Sequence, residues 1–219
     1  MYIFNMITQE HKGKYLNFIS SIPDDHSHEK EYGIIFLMHG FGANMYDLLN
    51  LAPMINQKDF IFIFPNAPIK INMGFSQNGY AWFPIESNNY QDSSKLLNKT
   101  IDEALSLYSS SNVYIGGFSQ GGMMAIHSGL FSTRKYKGII ALSSKIINAD
   151  ELIINQNKPE NTEIFISHGR FDAVINIKEG RSMRDKLENL GFKISFKEYE
   201  IGHEINSNVI EDLCQWISK

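Results

Sequence analysis

A serine set among closely spaced glycines is the first feature of this chain that could carry out chemistry. Residues 117–122 read Gly-Phe-Ser-Gln-Gly-Gly, which places Ser119 at the centre of a G-x-S-x-G pattern. Apolar residues at 113–116 predict a buried strand before it, and residues 123–127 predict the start of a helix after it. A serine at such a strand–turn–helix junction is a nucleophile elbow. The sequence therefore predicts that the Ser119 hydroxyl attacks a carbonyl carbon.

The glycines explain how this turn is possible. A turn that sharp strains the serine backbone, and a side chain at Gly117 or Gly121 would collide with the neighbouring strand or helix. The turn also directs the backbone N–H of Gln120 at a bound carbonyl oxygen, at the positive end of the helix dipole. The five-residue pattern alone also occurs by accident in unrelated turns, so the flanking strand and helix are what favour catalysis here.

Two further side chains stand where a serine nucleophile needs its partners. Asp172 follows a predicted buried strand at 163–168, and His203 follows a predicted strand at 193–199. Both positions lie at the edge where α/β sheets bind ligands. In the triad that this order predicts, His203 takes the proton of Ser119 and Asp172 orients the imidazole. The alternatives are a helix N-cap for Asp172 and a capping or solvated loop residue for His203.

A glycine-rich loop upstream could complete the site. The predicted strand at 33–38 runs into residues 39–44, which read His-Gly-Phe-Gly-Ala-Asn. In α/β-hydrolases the loop after the third strand supplies the second N–H of the oxyanion hole, and by position that donor is Phe41. Phe41 and Gln120 would then share the negative charge of a tetrahedral intermediate. His39 is expected to hold the loop through its ring nitrogens rather than to act in catalysis.

Six stretches of the chain resemble the phospholipase/carboxylesterase family, the group that includes the acyl-protein thioesterases. They run in the family's order and cover nearly the whole chain beyond its N-terminal part. The stretches are residues 37–42 (LMHGFG), 64–68 (FPNAP), 81–83 (AWF), 117–122 (GFSQGG), His168-Gly169 with Asp172, and 202–204 (GHE). The GFSQGG block together with the P-N-A-P stretch is far more specific than G-x-S-x-G alone.

The resemblance implies a serine-dependent hydrolase of carboxylic esters or thioesters, with no metal and no cofactor. It implies Ser119 as the nucleophile and Asp172 and His203 as its partners. It also implies the N–H groups of Phe41 and Gln120 as the oxyanion hole.

Two positions depart from the family's pattern. Asn176 stands where a proline is usual, and Ser143-Ser144 stands where a glycine is commoner. Neither position belongs to the predicted triad. Both bear on the shape of the leaving-group side of the site.

Strands and helices alternate along the rest of the chain. The remaining predicted elements are helices at 46–57 and 92–109 and strands at 1–8, 14–20, 60–64 and 138–142. This alternation predicts an α/β-hydrolase fold, with a mostly parallel central sheet and helices on both faces. The chain has no internal repeat and no low-complexity linker, so a single domain spanning residues 1–219 is expected.

The longest predicted irregular stretch, residues 65–91, is rich in aromatic and aliphatic side chains. That composition is unsuited to disorder, and long loops in compact domains are usually functional when they are ordered. We expect the stretch to lie over the active site as an apolar wall for an acyl chain, with Phe75, Trp82 and Phe83 as substrate-binding residues. The alternative is that these rings only fill the space between the loop and the sheet.

Composition limits the partners of the protein. A net charge of −4 argues against nucleic acid as an electrostatic partner. The histidines show no ligand-like spacing beyond residues 25–28, which predict a solvated turn rather than a metal site. The N-terminal segment has neither a basic region nor a continuous apolar stretch, which predicts a cytoplasmic protein without integral membrane association. A homodimer is compatible with the sequence, although no feature requires one.

The sequence thus favours a serine hydrolase that forms an acyl-enzyme on small-molecule or lipid-like acyl esters or thioesters. One alternative is a lysophospholipase or peptidase-like hydrolase on the same scaffold. Another is a hydrolase-fold protein that binds a small molecule without turnover. The predicted triad argues against the last alternative, because binding alone needs no aligned proton relay.

Overall fold

The computed structural model describes residues 6–27, 29–72, 74, 78–87, 89–150 and 162–218. The strands within them are β1 (Met6–His11), β2 (Phe18–Pro23), β3 (Gly33–Met38), β4 (Phe60–Pro65), β5 (Ile69–Asn72), β6 (Asn78–Ala81), β7 (Val113–Phe118), β8 (Gly138–Leu142), β9 (Glu163–Gly169) and β10 (Lys193–Tyr199). The helices are α1 (Leu51–Ile55), α2 (Gln91–Leu107), α3 (Gln120–Leu130), α4 (Ile177–Asn189) and α5 (Ser207–Ile217).

Eight of the described strands form one sheet, in the order β1-β2-β4-β3-β7-β8-β9-β10. Every neighbouring pair from β4 to β10 is parallel, whereas β1 and β4 each pair antiparallel with β2. The carboxyl ends of the parallel strands therefore meet at one edge of the sheet. Loops that follow β3, β7, β9 and β10 carry the predicted site residues to that edge.

Helices cover both faces of this sheet. Helices α2, α3 and α4 pack their buried apolar side chains on one face, and α1 and α5 pack theirs on the other. Alternate residues of β3 belong to the two faces, with Ile34 and Phe36 on the first and Ile35 and Leu37 on the second. All six residues of β3 are buried, as expected for a strand that is covered on both sides. The predicted α/β-hydrolase fold is confirmed.

Two predicted elements differ from those observed. The N-terminal hairpin is present, but the described strands pair His11 with Phe18 and so lie further along the chain than predicted; residues 1–5 lie outside the described residues. The helix predicted at 46–57 is helical only in α1. Before α1 the Asn44 side chain accepts the Tyr46 N–H at 3.0 Å, a local turn that competes with a helix.

The stretch 65–91 is not irregular throughout, because it contains the antiparallel hairpin β5–β6. This hairpin also pairs with the loop after β3. The Gly42 N–H donates to the Tyr80 carbonyl at 2.9 Å, and the Tyr80 N–H donates to the Ala43 carbonyl at 2.8 Å. A Cβ at Gly79 would lie 2.3 Å from the Gly42 carbonyl oxygen, so the close approach requires glycine. The hairpin thereby fixes the position of the predicted oxyanion loop.

Candidate active site

Ser119 sits on the predicted strand–turn–helix junction, between β7 and α3. Its backbone has φ 54° and ψ −118°, a conformation that is strained for a residue with a side chain. The Ser119 N–H donates to the Leu142 carbonyl at 2.8 Å, and the Ser144 hydroxyl donates to the Ser119 carbonyl at 3.0 Å. A Cβ at Gly121 would lie 2.1 Å from the carbonyl oxygen of Met38. The elbow is therefore held by neighbouring strands and allowed by its glycines.

The Ser143 position explains one departure from the family's pattern. Ser143 follows β8 with φ 46°, in the left-handed region that favours glycine. Its N–H donates to the Ser167 carbonyl at 2.8 Å, which holds this conformation. The Ser144 hydroxyl donates the hydrogen bond to the Ser119 carbonyl described above, so this serine stabilises the elbow. The serine pair therefore carries some strain but gains an anchor for Ser119.

Asp172 and His203 come together from two different loops. His203 Nδ1 lies 2.7 Å from Asp172 Oδ2, and the other carboxylate oxygen accepts the N–H groups of Val174 at 2.9 Å and Ile175 at 2.8 Å. Asp172 has a side chain with no exposed surface, and that of His203 is 15% exposed. The N-cap of α4 is Asn176, whose side chain accepts the N–H of the second helical residue. The helix therefore does not depend on Asp172 for its cap.

Ser119 and His203 line the same cavity, which has a volume of about 510 Å³. The ring of Phe118 packs against the His203 ring at a centroid distance of 4.7 Å and helps to orient it. Within the described residues the Ser119 hydroxyl makes no hydrogen bond. Catalytic hydrogen bonds of this kind often tighten when substrate is bound. The site therefore holds the three residue types of a serine proton relay, with the histidine held by the carboxylate.

The loop after β3 is anchored by His39, as the sequence predicts. His39 Nε2 accepts the Ala67 N–H at 3.1 Å, so Nδ1 carries the proton and donates to the Gly40 carbonyl at 2.8 Å. Burial lowers the pKa of His39 from 6.5 to about 4, because a charged ring would lose its hydration. The ring is therefore neutral near pH 7, and its role is structural.

The two predicted oxyanion donors, Phe41 and Gln120, both line the cavity. Within the described part of the chain, neither backbone N–H has a hydrogen-bond acceptor. The Gln120 side chain is occupied elsewhere: its oxygen accepts the Trp82 N–H and its nitrogen donates to the Phe83 carbonyl, both at 2.8 Å. The Gln120 side chain thus holds the backbone of Trp82 and Phe83, and the Gln120 backbone N–H is left available to a ligand in the cavity.

The predicted acyl wall needs one correction. Trp82 is fully buried away from the cavity, and its indole N–H donates to the His39 carbonyl at 3.0 Å. Trp82 is therefore a structural support for the loop after β3 rather than a wall residue. Phe83 does line the cavity. Phe75 lies outside the described residues.

Several cavity residues were missed by sequence reasoning. The apolar ones are Ile85, Met123, Val174 and Ile175, and the charged ones are Asp47 and Lys145. Burial raises the pKa of the Asp47 carboxyl, which lies partly out of water. Met123 lies on α3, Ile85 follows the β5–β6 hairpin, and the other four follow strands at the carboxyl edge of the main sheet. Position after a strand was a usable signal, but it did not separate cavity residues from their neighbours.

The sheet, the elbow and the acid–histidine pair define an α/β-hydrolase. A model of the phospholipase/carboxylesterase family matches residues 25–219, and the chain belongs to that family. It is 36% identical over 197 residues to acyl-protein thioesterase 1 of Neurospora crassa, covering 77% of this chain and 79% of the relative. It is 27% identical to the Aspergillus fumigatus enzyme of the same name, covering 87% and 89%. The protein is accordingly a hydrolase of carboxylic esters or thioesters that acts on acyl substrates.

Solved structures agree on the fold. The Bacillus cereus carboxylesterase aligns with a TM-score of 0.76 at 18% identity, covering 94% of this chain and 95% of that structure. Acyl-protein thioesterase 2 of Zea mays aligns with a TM-score of 0.74 at 18% identity, covering 98% of both chains. Among the described residues, no helix has the length and apolar character needed to cross a membrane.

Proposed function

We propose that the protein cleaves acyl esters and thioesters through a Ser119–His203–Asp172 triad and an acyl-enzyme intermediate. One observation carries this proposal. A serine on a strained elbow lines the same cavity as a histidine whose ring nitrogen lies 2.7 Å from a buried carboxylate. Strain of this kind persists where the surrounding structure enforces it, and it is commonly found at active sites.

The roles follow from the atoms that each group presents. His203 Nε2 accepts the proton of Ser119 while the serine oxygen bonds to the acyl carbon. The negative charge that develops on the carbonyl oxygen is held by the N–H groups of Phe41 and Gln120. His203 then returns the proton to the leaving alkoxide or thiolate. Water repeats the sequence on the acyl-enzyme and releases the acid.

Asp172 supports each of these steps without exchanging a proton. It accepts the Nδ1 proton of His203, which leaves Nε2 free to act as the base. Its other oxygen is bound by two backbone N–H groups, so the carboxylate cannot rotate away when the imidazole becomes charged.

The cavity supports an apolar acyl group. Phe83, Met123 and Ile175 offer it hydrocarbon or thioether surface, and Ile85 and Val174 are exposed beside them. We therefore propose an acyl ester or thioester with an aliphatic chain as the substrate, in keeping with the acyl-protein thioesterases among its relatives. A lysophospholipase or peptidase-like activity uses the same triad and remains the second candidate.

The test is hydrolysis of p-nitrophenyl esters from acetate to palmitate, together with S-acyl thioesters of the same chain lengths. Wild type is compared with Ser119→Ala and with Ser106→Ala, an exposed serine on α2 that serves as the matched control. We expect Ser119→Ala to lower turnover by about 10⁴- to 10⁶-fold and Ser106→Ala to leave it unchanged.

Other outcomes would redirect the proposal. Turnover of lysophospholipids or peptides well above that of matched acyl esters would favour the second candidate. A folded protein that hydrolyses none of these substrates and resists a fluorophosphonate probe would contradict the triad and favour a binding protein. A cytoplasmic location and the lack of a nucleic-acid partner stay predictions from the sequence.

A further inference from the structure

A second histidine, His168, lies beside the candidate catalytic acid. It stands near the end of β9, four residues before Asp172, and its side chain has no exposed surface. Its Nε2 lies 2.7 Å from the Ile175 carbonyl oxygen and 3.5 Å from Asp172 Oδ2. The proton relay proposed above has no use for this ring, although it is buried against the carboxylate that the relay depends on.

The neighbours of His168 determine where its proton sits. A carbonyl oxygen can only accept a hydrogen bond, so Nε2 carries the hydrogen and donates it to Ile175. Asp172 Oδ2 lies 3.5 Å from the same nitrogen, so the ring packs against the carboxylate without a second hydrogen bond. On the other side of the ring, Nδ1 has no hydrogen-bond partner among the described residues. A Cβ at Gly180 on α4 would lie 2.5 Å from that nitrogen, so the helix packs directly on the ring and prevents it from turning.

Ile175 links this histidine to both sides of the site. Its N–H donates to Asp172 Oδ1 at 2.8 Å, its carbonyl accepts from His168, and its side chain lines the cavity. The backbone of Ile175 is thus held by two hydrogen bonds, one to the Asp172 carboxylate and one from the His168 imidazole. Loss of the imidazole N–H would leave a buried carbonyl unpaired and let the segment from Asp172 to Ile175 shift.

We propose that His168 is a positioning residue. Through its Nε2–H it holds Asp172 and the cavity-lining residue Ile175 in one fixed arrangement. The proposal rests on the triad proposed above. A displacement of about 1 Å in a catalytic group can lower turnover on the order of 10²-fold. The effect should fall mainly on kcat, because Asp172 acts on the proton transfer, whereas Ile175 is only one of several apolar residues that line the cavity.

A pair of substitutions separates positioning from simple packing. The amide nitrogen of glutamine can occupy the place of Nε2 and keep the donor, whereas asparagine reaches only the place of Nδ1. We expect His168→Gln to stay within about fivefold of the wild-type kcat and His168→Asn to fall on the order of 10²-fold, with KM of both little changed. Equal kcat values for the two variants, whether both high or both low, would overturn the proposal.

Gly180→Ala tests the same idea without removing the histidine, and it decides the matter should His168→Asn fail to fold. Its new methyl group would displace the ring from its present place beside Asp172, so kcat should fall at unchanged KM. Leu187→Ala, a fully buried position on the same helix, is the control for lost stability alone. It should lower the melting temperature and leave kcat at 25 °C unchanged. A Gly180→Ala variant with wild-type kcat would contradict the proposal.

The control on the proposed function is separate. If Ser119→Ala retains activity, the triad itself fails. If Ser119→Ala is inactive while His168→Gln and His168→Asn behave alike, the triad stands and only the positioning role of His168 fails.

Discussion

The stability of the protein should fall in mild acid because of His39. His39 is 1% exposed, and its Nε2 accepts the Ala67 N–H, so a proton on Nε2 would face a donor instead of an acceptor. Burial lowers the pKa of His39 from 6.5 to about 4 in the folded protein. Between these values the unfolded chain binds a proton that the folded protein does not bind. Stability is therefore complete above about pH 6.5 and is lost as the pH falls towards 4.

The size of this loss follows from the shift of the pKa. A difference of this size is worth about 3 kcal/mol of unfolding free energy, which is a large part of the stability of a typical domain. The assay is urea unfolding followed by tryptophan fluorescence at intervals from pH 8 to pH 4. Wild type is compared with His39→Gln, in which an amide oxygen can still accept the Ala67 N–H.

The difference between the two curves isolates His39, because the other titrating groups are present in both proteins. We expect the loss of unfolding free energy between pH 6.5 and 4 to be smaller in His39→Gln by about 3 kcal/mol. Parallel curves for the two proteins would mean that the folded protein protonates His39 without penalty. That result would refute the argument from burial and hydrogen bonding.

Two further predictions concern the elbow and the cavity wall. Gly121→Ala should lower the unfolding free energy by about 3 kcal/mol or more, because its Cβ would lie 2.1 Å from the Met38 carbonyl oxygen. The control is Gly202→Ala, whose Cβ meets open space and which should change the unfolding free energy by less than about 0.5 kcal/mol. Both values are measured by urea unfolding. Equal losses would contradict the steric argument. Phe83→Leu should raise kcat/KM for p-nitrophenyl decanoate relative to butyrate by about tenfold, because the cavity gains room. Trp82→Phe should lower stability and leave this ratio unchanged; a matching change of ratio in both variants would refute the assignment of the wall.

Much of the fold was readable from local pattern. The strands at 33–38, 138–142 and 193–199 match β3, β8 and β10, because each is a short run bounded by turns in an alternating β and α order. The helix predicted at 46–57 was too long, because the Asn44 side chain forms a local turn that competes with the helix before α1. The β5–β6 hairpin was missed, and its hydrogen bonds to the loop after β3 join residues too distant in the chain for a local pattern to predict.

Local sequence pattern also could not predict which side chains line the cavity. Trp82 and Phe83 are adjacent and both aromatic, so no sequence pattern separates the one that lines the cavity from the one that does not. The Gln120 side chain decides between them, because it binds the backbone of both residues and fixes which ring turns inward. That contact spans more than thirty residues of chain.

The sequence by itself determined which residues are the candidates for the chemistry of this protein. Ser119 between its glycines, followed in order by Asp172 and His203 after predicted strands, could be identified because a tight elbow and strand ends leave local signatures. The tertiary structure decided what surrounds them. The contact of His168 with the Ile175 carbonyl, the anchoring of the loop after β3 by His39 and the place of Phe83 on the cavity all depend on hydrogen bonds and packing between loops and helices. Such contacts arise only when the sheet brings distant segments to one edge, and no local pattern encodes them.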